Sequence, residues 1–117
     1  MSVRAEALTD STLIAEAHLD LREITMQPRD GHWTGTLQSI FLQLDNIGRI
    51  LHVDDRTFHP DFDDASHRQG LQRGITDTRR VLVLPNAAQL CIVVRDANSS
   101  RMGSVYLPVA KYVSQAP

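Results

Sequence analysis

A chain of 117 residues with 42% hydrophobic and 22% charged side chains is the size of one domain, and burying roughly 65% of its unfolded surface needs no disulfide or metal. Twelve basic against 14 acidic side chains, a formal net charge of −2, offer no field to gather phosphate backbones and no polybasic face for anionic lipid, so neither nucleic acid nor membrane is an expected partner. One cysteine rules out an internal disulfide, and no apolar run reaches the about 18 residues that cross a bilayer.

Residues 1–11 show little periodicity and are expected to form a flexible N-terminal stretch; Met1-Ser2-Val3-Arg4-Ala5-Glu6 has no apolar core of the kind a signal peptide carries. From Leu13 the pattern alternates. Leu13, Ala15, Ala17, Leu19 and Leu21 share one side, with Glu16, His18, Asp20 and Arg22 on the other, the period of two of a half-buried strand, here over residues 12–24. A turn is expected at 28–31 and a second alternating strand over 32–44, where Thr36, Gln38, Ile40, Leu42 and Leu44 oppose Trp33, Leu37, Ser39, Phe41 and Gln43. Asp45-Asn46-Ile47-Gly48 then closes a hairpin into a strand over 49–53, and Pro60 limits the extended stretch 56–62 to an edge or a bend.

The one helical candidate covers 63–73: Asp63 or Asp64 can cap it, Arg68 and Arg73 suit its far end, and Gly74 can take the left-handed stop. Gly70 lies inside it and its apolar stripe, chiefly Ala65 and Leu71, is thin, which predicts a short helix laid across a sheet end. Three apolar runs follow, Val81-Leu82-Val83-Leu84, Leu90-Cys91-Ile92-Val93-Val94 and Val105-Tyr106-Leu107, broken by Pro85-Asn86 and by the polar loop 96–103. That is a meander. Residues 113–117 read as a flexible tail. About seven short strands with one helical crossover make a single mainly β domain over 12–112, an antiparallel β-sandwich of two sheets.

The succession Asp30-Gly31-His32-Trp33-Thr34-Gly35, Phe41-Leu42-Gln43-Leu44-Asp45 with Gly48, the run from Leu84-Pro85-Asn86 to Arg95-Asp96, and Gly103-Ser104-Val105 resembles a C-terminal module. It is similar to the β-sandwich that follows the von Willebrand A-like domain in certain large bacterial proteins, often predicted to be exported. The resemblance implies an immunoglobulin-like or fibronectin III-like module attached to a bigger chain, with an exported or cell-envelope location and no established chemistry. Leu84-Pro85 before Leu90 also resembles the corner entering the sixth strand of such sandwiches, with Leu90 where a tyrosine usually stands. The A-like domain's metal loop, Asp-x-Ser-x-Ser, has no counterpart, because Asp64-Ala65-Ser66 is followed by His67 and Arg68. No metal site is carried over.

Chemistry-bearing residues cluster most densely between His52 and Asp64, where Asp54, Asp55, Asp61, Asp63 and Asp64 accompany His52 and His59. Such a set could hold a hard cation or an acid and base pair for metal-assisted hydrolysis. In an extended strand, however, Asp54 and Asp55 point to opposite faces, so the cluster is expected as a solvated edge packed against the arginines of residues 65–80. Asp96-x-Asn98-x-Ser100 imitates the first ligands of a calcium loop but has Arg101 and Leu107 where glycine and glutamate belong, which leaves a loop capping its own amides. Cys91, inside an aliphatic run, is expected as core packing. Trp33 is the single tryptophan and the one ligand-contact candidate, a stacking platform for a sugar or other small ligand.

Apolar alternation thus accounts for nearly every patterned residue. The reading is a non-enzymatic accessory or protein-interaction module without catalytic, cofactor or metal residues, meeting a neighbouring domain or its own copy through strand edges. The alternative is a small-ligand or carbohydrate-binding module using Trp33.

Overall fold

Period-two patterning is realised in the computed structural model, which describes residues 1–113 and is mainly β. Among these residues, β1 (Ser2–Ala7), β2 (Thr12–Leu19), β3 (Gln27–Arg29), β4 (His32–Thr34), β5 (Leu37–Leu44), β6 (Ile50–Phe58) and β7 (Asp61–Asp63) precede the helix α1 (Asp64–Arg73). After it come β8 (Ile75–Leu82), β9 (Gln89–Asp96) and β10 (Met102–Pro108). The strands form three antiparallel sheets in the orders β1-β2-β8, β10-β9-β5-β6 and β3-β4-β7. The first two pack face to face as a sandwich of seven strands, and the short third sheet sits with α1 at one end, within overall dimensions of 55 × 24 × 16 Å. No helix among the described residues is long and apolar enough to cross a membrane.

Several expectations differ in the structure. The last three apolar runs are not one meander, because β8 pairs with β2 in the first sheet while β9 and β10 pair in the second, and the stretches expected over 49–53 and 56–62 are one strand as far as Phe58. Residues 1–11 are not all flexible: Ser2 to Ala7 pair in register with His18 to Leu13 of β2, with Val3 and Ala5 half-buried against the main core. Small inward side chains gave this strand little hydrophobic signal of its own. The strand expected over 12–24 ends at Leu19, because Asp20 accepts a hydrogen bond from the Arg22 amide at 3.0 Å and caps a 3-10 turn, Leu21–Glu23. The strand expected over 32–44 splits at Gly35, where a Cβ would come within 2.8 Å of the Met26 sulfur and the chain steps from the third sheet into the second. The C-terminal tail expected over 113–117 is not flexible at its start, since Val113 is buried in the main core; 114–117 lie outside the described residues.

Local turn chemistry explains the rest. Asp30 and Gly31 both take positive φ, 50° and 79°, the two-residue hairpin geometry that Asp-Gly favours, and they join β3 to β4. Asp63 caps α1 by accepting from the Ser66 amide at 2.7 Å, which pulls the Asp63 carboxyl below its ordinary pKa. α1 packs on the 3-10 turn, β7 and β4, so it covers neither outer sheet face.

Two apolar clusters fill the sandwich. Leu13, Ala15, Ala17, Phe41, Leu90, Ile92, Leu107 and Val109 belong to the larger; Leu19, Leu37 and Val94 form the smaller. Along β5 the inward positions run Leu37, Ser39, Phe41, and along β8 they run Ile75, Asp77, Arg79, Val81, so a polar layer separates the clusters.

Candidate functional site

That polar layer is the densest chemical constellation in the fold. Arg79 has no exposed side-chain surface. Its Nη1 donates to the Asp54 carbonyl at 2.7 Å and lies 3.3 Å from the Asp54 carboxylate, its Nη2 donates to the Ser39 carbonyl at 2.8 Å, and its Nε donates to Asp77 at 3.1 Å. The guanidinium carbon lies 4.1 Å from the centroid of the Phe41 ring, and the Ser39 hydroxyl donates to Asp77 at 2.8 Å. Room for this comes from β2, whose Ala15 and Ala17 pair with Arg79 and Asp77 and are fully buried. Every buried side-chain nitrogen and oxygen among the described residues has a partner. The arrangement clamps β8 to β5 and β6 across the two sheets.

The acidic stretch expected as a solvated edge is dispersed. Asp54 turns inward to Arg79 and Arg56, the electrostatic packing expected against the later arginines; Asp55 turns outward and accepts from the Gln38 amide at 3.0 and 3.2 Å. Asp61 meets His32 at 2.9 Å, Asp63 caps α1, and Asp64 accepts from the Trp33 indole at 3.0 Å. No group of three or more His, Cys, Asp or Glu side chains converges among the described residues. Trp33 sits on β4 with one ring face stacked on His67, centroids 4.3 Å apart and planes 7° from parallel. Its N–H and that face are therefore engaged within the chain.

Asp96 turns into the loop as a cap. Its carboxylate accepts from the Thr25 amide at 2.7 Å, the Asn98 amide at 3.0 Å and the Ser99 hydroxyl at 2.8 Å, tying the β9–β10 loop to the segment before β3. Burial disfavours its charge, but these donors outweigh burial and hold the carboxyl below its ordinary pKa. Asp20 is likewise lowered, to about 2, chiefly by the Arg22 guanidinium. The folded state thus binds fewer protons than the unfolded chain as pH falls from about 4 toward 2, and stability contributed above that window is lost through it. Asp96→Ala is expected to cost about 1–3 kcal/mol at neutral pH, by removing the three charge-assisted hydrogen bonds that tie the loop to Thr25, and to flatten the acid limb of stability against pH. Urea titrations from neutral pH down to acid check both; an unchanged acid limb in the variant sinks the assignment.

Beside the polar layer, where the three sheets meet, a cleft of about 490 Å³ has a floor of Leu19, Leu37 and Val94 and a mouth at Phe58, Phe62 and Ile75. The charged groups beside it, Arg56 and Asp77, are already paired.

Sequence reading missed a different feature, the outer face of β10-β9-β5-β6. Strand register aligns Tyr106, Cys91, Leu42 and Val53 in one cross-strand row, with Ser104, Val93, Ile40 and Asp55 in the next. On the other side lie Pro108, Gln89, Leu44 and Ile50, with Leu51 beside Ile50 where the register shifts. Leu51, Val53, Tyr106 and Met102 are 37%, 48%, 59% and 69% exposed. Cys91 is buried although it belongs to this outer face rather than to the core between the sheets, and its thiol raises the pKa of the neighbouring Tyr106 phenol. No element among the described residues packs over these side chains. The opposite outer face is mostly polar: Ser2, His18 and Thr76 form one row, Arg4, Glu16 and Thr78 the next, Glu6, Ile14 and Arg80 a third, and Thr12 with the exposed Leu82 a fourth, so Ile14 and Leu82 are its apolar positions. The contrast could have been found only by pairing four separate segments. Comparison with protein-family models, curated proteins and solved structures gives no match for this chain.

Proposed function

We propose that the chain is a non-enzymatic interaction module, an immunoglobulin-like or fibronectin III-like sandwich carried by a larger protein, that meets a protein partner on the outer face of β10-β9-β5-β6. The reading is carried by the apolar row Tyr106, Cys91, Leu42 and Val53, which crosses the whole sheet while no row of the other sheet's outer face is apolar throughout. Seven sandwich strands, three on four, support the module type, and the short stretches around Trp33, Asp45 and Pro85 support its likeness to the sandwich that follows A-like domains. The ligand alternative built on Trp33 has less support, because the indole N–H and one ring face are taken by Asp64 and His67.

The test is face-selective. A photo-crosslinking side chain placed at Val53 or Tyr106 is expected to form protein adducts in the cells that make the chain, and the same group at Thr78 is expected to form none. Adducts of equal yield from both faces, or none from Val53 and Tyr106, would refute the reading.

A further inference from the structure

The geometry points to a second copy of this chain as the occupant of that face, a two-fold pairing of β10-β9-β5-β6 against its own image. This inference rests on the preceding reading of the face as an interaction surface and names its partner. Three observations carry it. The first is charge: the sixteen inward-to-outward alternating positions of the four strands place only Asp55 and Arg95 as charged groups on this face, one of each sign. Asp55 is already engaged by the Gln38 amide. Self-pairing therefore brings no net like charge together, while a strongly acidic or basic partner would find nothing to neutralise it.

The second is area. Four strands about 4.8 Å apart and four rows about 6.8 Å apart span roughly 500 Å² per copy, so a pair covers roughly 1,000 Å². That lies at the low end of specific interfaces and suits a reversible, concentration-dependent dimer rather than a permanent one. The third is closure. Face-to-face stacking is the packing mode the two sheets already use inside the sandwich, and it needs no pocket or protruding anchor. Because the opposite outer face has only Ile14 and Leu82 as apolar positions among charged and hydroxyl side chains, it offers no matching row for the same contact on the far side of either copy, and the pairing stops at two.

Sedimentation of the purified chain from about 1 μM to about 1 mM, a range bracketing interfaces of this size, tests it. The weight-average mass is expected to rise from 13.1 kDa toward twice that value, and Val53→Lys combined with Tyr106→Lys is expected to weaken association at least about tenfold. Both positions are substantially exposed, so the variant should fold; circular dichroism of variant and parent checks that it does. Thr78→Lys, on the polar sheet, is the control and is expected to leave association unchanged. A monomer at every concentration overturns the inference, as does a dimer that survives Val53→Lys and Tyr106→Lys, which would place the contact on strand edges. If the purified chain stays monomeric while crosslinkers at Val53 and Tyr106 still give adducts in cells, the second copy is refuted and the interaction reading stands; absence of both removes both.

Discussion

Arg79→Ala is expected to lose about 3–5 kcal/mol of unfolding free energy, the largest effect of any single charged-residue change in the chain. The side chain is wholly buried and serves Ser39, Asp54 and Asp77 at once, with its plane against Phe41. Truncation leaves the mostly buried Asp77 carboxylate without its cation, takes a donor from the Ser39 and Asp54 carbonyls, and opens a void between the two apolar clusters. Arg79→Lys keeps the charge but replaces a planar fork with a point, so it should recover only part of the loss. Arg80→Ala, one residue on and exposed, should change stability by no more than about 0.5 kcal/mol. Urea unfolding of the three variants measures the ranking, and an Arg79→Ala loss below about 1 kcal/mol would mean the polar layer does not hold the sheets together.

Gly74→Ala is the second large effect, about 3 kcal/mol. Gly74 ends α1 with φ at +77°, where a side chain is strained, and a Cβ there would press on the Leu19 carbonyl and approach the His18 ring at 2.7 Å. The backbone oxygen cannot step aside, because Leu19 pairs with Ile75 in the β2–β8 ladder. Gly70→Ala is the informative contrast. Its Cβ would meet only the Leu21 Cδ2, the far end of a side chain, and a helical alanine in place of glycine offsets about 1 kcal/mol of the displacement. The two variants, compared by thermal unfolding, should therefore separate clearly; equal losses would mean that helix propensity rather than contact at the β2 end sets the cost.

Both sites bear on the proposed function in the same way. Arg79 holds β8 against β5 and β6, and Gly74 lets α1 turn back into β8 beneath the end of β2. Together they fasten the sandwich from inside and at one end, and the outer face of β10-β9-β5-β6 needs no covering from the chain itself.

Strand character was readable in the sequence wherever the signal is local. Leu13, Ala15, Ala17 and Leu19 alternate because a pleated backbone turns neighbours to opposite faces, and Asp30-Gly31 and Asp63 announce their turn and cap through side-chain chemistry confined to a few residues. Helix α1 and its Gly74 stop were visible for the same reason, although only the packed fold shows that Gly70 is glycine beside Leu21. Tertiary structure alone decided which of the adjacent Arg79 and Arg80 is buried, since a one-residue step of register exchanges inside for outside and composition is blind to it. It alone made β1 a strand, because Val3 and Ala5 acquire a core only once β2 lies beside them. It alone also assembled the row of Tyr106, Cys91, Leu42 and Val53, since each of those residues comes from a different strand and cross-strand neighbours are set by pairing over long stretches of chain, which no window along a single segment contains.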